Sequence, residues 1–359
     1  MSLQVELKKH ILQFNFEAGT SRGVMKSKDS WIIKVFDQDQ PEVVGMGEAS
    51  LIPGLSIDAS EDFEEKLQKV ASDLQGQPVQ EIHGNYKSIL SAAIPNKLPS
   101  IKFAFEVAIL DWINGGNFII FDNAFAHGRR SIPINGLIWM GSQLFMLKQV
   151  REKVKAGFHC IKIKVGAIDF QSECDLLEFV REQYPKKNIE LRLDANGAFA
   201  ETEVFDKLQI LTEFKIHSIE QPIAPGNYEL MAEICAKSPI PIALDEELIG
   251  LFSHEEKINM LKQIKPHYII LKPSLLGGFE ACREWISLAE SLGIGWWVTS
   301  ALESNIGLNA IAQFTAEYDN PLPQGLGTGM LYQNNFPSPL VIDKGMLTYD
   351  KNISWKLEL

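Results

Sequence analysis

Apolar and polar residues alternate through positions 3–16 and again through 30–37, the period expected of strands with one buried face. Between them the polar stretch from Ala18 to Lys28, with glycines at 19 and 23, predicts a hairpin with a mobile tip. A third strand is expected near Val43 to Met46, and the loop GEASLIPGLS that follows carries the Gly and Pro residues of a chain reversal. Amphipathic periods then predict helices over 59–74, 78–92 and 99–114. Strands followed by helices make this first third an α+β unit.

From Ile132 the pattern changes to short apolar runs, each trailed by a helical stretch. The runs end at residues 138, 166, 194, 220, 245, 272, 300 and 327, in steps of 25 to 28 residues. Eight strand–helix units at that spacing predict an α/β fold, a (β/α)8-type TIM barrel near the small end of its size range. A doubly wound sheet is the alternative, but it normally carries GxGxxG after its first strand, and this chain does not. A complete barrel needs no ninth strand, so the strand-like text VIDKGMLTYD and ISWKLEL is expected to return to the N-terminal unit. The expected division is an α+β unit of residues 1–125 with 335–359, and a barrel of residues 126–334.

Composition narrows the function classes. Hydrophobic residues make up 45% of the 359 and charged ones 22%, enough for a sizeable core and too apolar for a disordered chain. A net charge of −12 without a basic stripe argues against a nucleic-acid partner. No apolar run reaches the roughly 18 residues of a membrane span, and the opening MSLQVELKKHILQF lacks the apolar core of an export signal. A cytoplasmic protein acting on a small molecule is expected. The four cysteines, at 160, 174, 235 and 282, show no metal or redox spacing, and the seven histidines form no zinc signature.

Strand parity then singles out charged residues. In CIKIKVG, Lys162 and Lys164 share one face while Ile161, Ile163 and Val165 share the other. The apolar set suits the helix layer, which leaves two lysines pointing into the barrel near the strand's C-terminal end, where barrel enzymes place their chemistry. On the next strand Leu191 and Leu193 oppose Arg192 and Asp194, and Glu220, Asp245 and Lys272 fall at the ends of the fourth, fifth and sixth runs. Taken singly, each acid reads as a turn or capping residue. Jointly, three consecutive strands deliver a carboxylate to one rim, flanked on both sides by lysine strands. Such acids repel unless a cation binds or their pKa values rise, and oxygen donors suit a hard ion such as Mg²⁺, with Mn²⁺ as the alternative. A metal opposite a lysine base is an arrangement for removing a proton next to a carboxylate.

These residues, with the motifs NGLIWMG, KIKVG, RLDANGAF, IEQP, ALDEEL, LKPSLLGG, TSALESNIGLNAIAQ and LPQGLGTGMLY, resemble the enolase superfamily in its muconate-lactonising subgroup. The resemblance spans nearly the whole chain. It implies that Asp194, Glu220 and Asp245 hold Mg²⁺, that Lys164 is the base and Lys272 its counterpart across the site, and that Lys162 holds the substrate carboxylate. It also implies polar roles near metal or substrate for Arg192 and Asn196, and places a succinyl tail at Ser300 and the N–H groups near Ala301. The N-terminal unit then resembles a capping domain whose loops 18–28 and 50–56 close over the site. The implied reaction is a syn dehydration of 2-succinyl-6-hydroxy-2,4-cyclohexadiene-1-carboxylate towards menaquinone. N-succinylamino acid racemisation or another proton transfer or cycloisomerisation of the subgroup stays open. Dipeptide epimerases are disfavoured because Gly325 to Thr328 lacks their Asp-x-Asp element, and mandelate-racemase-like members because the seventh strand lacks a histidine base. A Schiff-base aldolase would not need the acid trio, and a non-catalytic barrel would not be expected to keep all five groups.

Overall fold

A computed structural model describes residues 1–20 and 23–357; the predicted hairpin tip at Ser21 and Arg22 lies outside the described residues, as do 358 and 359. Strands β1 (Leu3–Thr20), β2 (Gly23–Asp37) and β3 (Gln40–Ser50) form an antiparallel sheet in that order. The ladder runs well past the alternating residues: Leu12 pairs with Lys28 and, after a shift in register, Ala18 pairs with Met25. The polar stretch expected as a loop is thus largely strand, because backbone pairing does not require an apolar face.

Helices α1 (Phe63–Leu74), α2 (Val79–Ala93) and α3 (Pro99–Ile113) follow. Proline opens α3, where its missing N–H costs nothing. This helix is buried on nearly every side and lies flat on β3. Glycine makes that approach possible: a Cβ on Gly47 would stand 1.9 Å from the Ala104 carbonyl oxygen, and one on Gly45 would stand 2.0 Å from that of Ala108.

The chain enters the second unit through β4 (Ile132–Pro133) and β5 (Gly136–Ile138). There follow α4 (Gln143–Lys155), β6 (Cys160–Lys164), α5 (Phe170–Gln183), β7 (Glu190–Asp194), α6 (Val204–Leu211), β8 (Ser218–Glu220) and α7 (Tyr228–Lys237). Then come β9 (Ile242–Leu244), α8 (His254–Ile264), β10 (Tyr268–Leu271), α9 (Pro273–Leu276), α10 (Phe279–Ser291), β11 (Gly295–Val298) and α11 (Asn305–Thr315). Strands β5 to β11 pair in sequence order as one parallel sheet. Helix starts are set locally: Ser142, Asp169, Asn227 and Ser304 accept from N–H groups of the first turn, and Ser253 with Glu256 forms a capping box. Ile161, Ile163, Leu191, Leu193, Ile219, Ile242 and Leu244 point outward into the helix layer and are essentially inaccessible.

The eighth unit departs from the expectation. Its strand is reduced to two bridges, Gln324 with Ile134 and Gly325 with Thr299, which close the ring between β11 and the segment leading into β5. Pro321 and Pro323 remove donors and Gly325 and Gly327 add no side chain to pack, so NPLPQGLG cannot sustain a ladder. Instead of an eighth helix, the chain turns back to the N-terminal sheet: Asn15 N–H donates to the Leu331 carbonyl at 2.8 Å and Gln333 N–H to that of Gln13 at 2.9 Å. Strands β12 (Leu340–Asp343) and β13 (Met346–Tyr349) form a hairpin on β4, at the N-terminal end of the barrel, and not on the three-stranded sheet. Leu347 anchors it in the barrel core, while Trp355 stacks on Phe118 with ring centroids 4.1 Å apart.

Candidate active site

A cavity of about 560 Å³ opens at the C-terminal ends of the barrel strands, and the N-terminal unit covers it through β2 residues 23–27 and through Ile52, Pro53 and Leu55. Lys162, Lys164, Asp194, Asn196, Lys272, Ser300 and Ala301 line its floor and walls. The strand register explains the gathering. Lys164 pairs with Asp194, and Asp194 with Glu220, so neighbouring strands present these charges side by side. In a ring of eight, the second and sixth strands are opposite, so Lys164 and Lys272 face each other across the cavity.

The charges are tightly interlocked. The Lys162 ammonium lies 2.5 Å from Glu220 Oε2 and 3.0 Å from Asp194 Oδ2. Lys164 donates to Asp194 Oδ2 at 3.0 Å and to Asn196 Oδ1 at 2.6 Å, and Lys272 donates to Asp245 Oδ2. Asn196, at φ 44°, also donates from Nδ2 to Glu246 at 3.0 Å. The left-handed backbone, which Asn tolerates, turns its amide back onto Lys164. Burial opposes the Lys162 charge, but Asp194, Glu220 and Asp245 prevail and hold its pKa above the usual lysine range. Burial likewise penalises ionised Asp194, yet Lys162, Lys164 and Lys272 hold its carboxyl below the usual range. Glu220 goes the other way: burial and then the Asp194 charge push it well up.

With the lysines drawn in, no three acidic, histidine or cysteine side chains among the described residues are gathered closely enough to hold a metal ion as they stand. The chemistry of the donors nevertheless fits one. Asp194, Glu220 and Asp245 are oxygen donors at one rim, and Glu220 Oε1 is buried without a hydrogen-bond partner. A hard divalent cation would satisfy that atom and relieve the crowding of like charges.

Two expected substrate contacts look different in the structure. Arg192 points into the barrel one layer below the carboxylates, where it pairs with Glu190 at 3.0 Å, donates to the Pro323 carbonyl at 2.8 Å and stacks 4.3 Å from the Trp297 ring. It is 2% exposed and is not among the cavity's lining residues. The Ser300 N–H is bonded to the Gly325 carbonyl and the Ala301 N–H to Glu303, so neither is open to an acyl tail. The Ser300 hydroxyl stays on the wall, 2.6 Å from that of Thr328. Trp297 fills the barrel interior, whereas the Trp296 indole N–H donates to Glu290 on α10.

Sequence reasoning missed Gln221 and Lys28. Buried Gln221 accepts from the N–H groups of Asp245 and Glu247, at 3.3 Å each, and so fixes the turn that carries Asp245. Lys28 shares strand parity with Ser30 and Ile32, a signal that places it inward.

A seven-stranded parallel barrel closed by an eighth segment, capped by an α+β unit and carrying carboxylates between facing lysines, defines a class of enzyme. Residues 146–352 match the family described as enolase C-terminal domain-like, and the chain belongs to the enolase superfamily. Its sequence is 44% identical to the o-succinylbenzoate synthase of Desulfotalea psychrophila over 96% of this chain and 98% of that one. The crystal structure of MenC from Desulfotalea psychrophila superposes with a TM-score of 0.85 at 42% identity, covering 97% of this chain and 100% of that one. The L-Ala-D/L-Glu epimerase of Bacillus subtilis, at 20% identity and a TM-score of 0.83 over 99% of this chain and 98% of that one, shares the fold.

Proposed function

We propose that the chain is an o-succinylbenzoate synthase, a carbon–oxygen lyase that dehydrates 2-succinyl-6-hydroxy-2,4-cyclohexadiene-1-carboxylate in menaquinone biosynthesis. The observation that carries the reading is the near full-length identity to the Desulfotalea psychrophila enzyme. The facing lysines at a carboxylate rim supply chemistry that fits it. Superfamily members generally use Mg²⁺, and here Asp194, Glu220 and Asp245 would hold it, with Mn²⁺ as a substitute. Bound there, the ion supplies positive charge for the enediolate that forms when the substrate loses its proton.

The chain's own residues do the rest. Lys164 takes the proton alpha to the carboxylate, and the C–H electron pair passes into the enediolate. As an ammonium, Lys164 then returns a proton to the departing hydroxyl on the same face, the C–O bond breaks, water leaves and the ring becomes aromatic. Lys272 stays charged and stabilises the enediolate from the opposite wall. Lys162 holds the carboxylate, and Asn196 orients Lys164. Residues 1–125 serve as the cap that keeps bulk water from the intermediate, over the barrel that begins at residue 126. The reading implies a cytoplasmic enzyme acting on a small dicarboxylate.

Purified protein loaded with Mg²⁺ and given the cyclohexadiene is expected to form aromatic product, followed by absorbance, and to stop on addition of EDTA. Folded, metal-loaded protein that forms none would overturn the reading and direct attention to deuterium exchange at the alpha carbon of N-succinylamino acids.

A further inference from the structure

Lys28 projects from β2 and is 2% exposed, a costly position for an ammonium. It donates to three acceptors on two other segments: Ser50 Oγ at the end of β3, the Ala301 carbonyl at 3.0 Å and the Leu302 carbonyl at 2.8 Å. Each of the three segments contributes to the cavity wall. Residues 23–27 precede Lys28 on its own strand, Ile52 to Leu55 follow Ser50, and Ser300 to Leu302 follow β11. Leu302 sits at φ 63°, a left-handed conformation that is strained for a side-chain-bearing residue. Its carbonyl takes a second bond, 2.6 Å, from the Tyr332 hydroxyl.

The linkage continues behind this wall. Ala301 N–H donates to Glu303 Oε2 at 2.7 Å, and Glu303 Oε1 accepts from the Ser274 hydroxyl at 2.5 Å. Ser274 stands two residues after Lys272, in the first turn of α9. A continuous run of hydrogen bonds therefore leads from the hairpin of the cap to the segment that carries Lys272. Burial pulls the Lys28 ammonium down to about 8 against the opposing charges of Glu303 and Glu48, so these bonds hold a cation in place at a cost.

We propose that Lys28 is a positioning residue that joins the cap hairpin, the 50–56 loop and the loop after β11 into one wall, and through that wall sets the fit of the substrate's acyl tail. The inference deepens the dehydration reading and rests on it. Truncating the ammonium takes a donor from Ser50 and from two carbonyls, and leaves the strained Leu302 held through its carbonyl by Tyr332 alone.

Lys28→Met is expected to raise KM for the cyclohexadiene about tenfold while kcat stays within about threefold, the signature of lost binding and not of lost chemistry. Lys257, equally buried but paired with Glu284 in the helix layer, is the control: Lys257→Met is expected to lower the melting temperature and leave KM unchanged. If Lys28→Met behaves like Lys257→Met, with stability lost and KM fixed, the residue is merely structural and the inference fails while the dehydration reading stands. Should Lys28→Met not fold, Tyr332→Phe removes the other donor to Leu302 and is expected to raise KM about threefold; an unchanged KM there overturns the inference. A wild-type chain that does not turn the substrate over removes both.

Discussion

At the residue scale the site sets three ammonium groups against the carboxylate oxygens that the proposed cation would use. Lys164 is held by Asp194 and Asn196, so its reactivity depends on two neighbours at once. Lys164→Ala is expected to lower the dehydration rate by about 10²–10⁴-fold, the range for losing a positioned base, with Lys272→Ala comparably damaged. Retained dehydration in Lys164→Ala with loss in Lys272→Ala would contradict the assignment of roles. Glu220→Gln keeps the shape of the side chain and removes one ligand charge; titration calorimetry is expected to show Mg²⁺ binding weakened at least about tenfold. Parity along CIKIKVG and RLD was enough to place Lys162, Lys164 and Asp194 on one rim, because strand geometry leaves only two faces. Parity also put Arg192 inside the barrel but carried no depth, and two residues along a strand separate the cavity floor from the layer below it. The engagement of the Ala301 N–H was illegible for another reason: its acceptor, Glu303, belongs to a turn whose path no periodicity describes.

Among the elements, β3 and α3 show how a functional cap is fastened. Their backbones touch because positions 45 and 47 carry no side chain. Gly47→Ala would drive a methyl into the Ala104 carbonyl and is expected to cost about 3 kcal/mol or more, read from urea unfolding. Gly84 in α2 has nothing within 4 Å of an added Cβ, so Gly84→Ala is expected to stay within about 1 kcal/mol of the parent. The three helices of the first third were readable from their amphipathic periods, and the seven paired barrel strands from the regular 25–28-residue spacing of apolar runs. The eighth run was read at the residues that close the ring, but not its reduction to two bridges, since an apolar run does not state how long a ladder its prolines and glycines allow.

Across the whole molecule, two buried carboxyls set a pH dependence, and one of them, Glu106, also ties the two units together. Glu106 on α3 accepts from the Phe279 N–H at the start of α10, at 2.7 Å, and Asp111 accepts from Met46 N–H at 3.0 Å. Burial pushes each up to about 7, against these hydrogen bonds. A carboxyl whose folded pKa is raised favours the folded state while both states are protonated. That advantage is lost as pH rises from the unfolded value, near 4, to about 7, and amounts to about 4 kcal/mol per group. Stability is therefore expected to fall across that window, and Glu106→Gln, which stays neutral, is expected to flatten the fall in melting temperature between pH 5 and 7, beginning near the carboxylate range. An unchanged slope would show that Glu106 is not responsible.

The return of the chain from the barrel to the first sheet also has a bearing on time. Gln13 N–H bonds Asn334, 321 residues away, so the cap is knit from text that a ribosome delivers at widely separated moments. Loop closure over such a span is costly and slow, and the first strands wait for it with an open edge. A nascent chain stalled before Leu331 could carry all seven strands of the barrel sheet and still lack a sealed pocket, so ligand affinity should arise late in synthesis, after most of the secondary structure has formed.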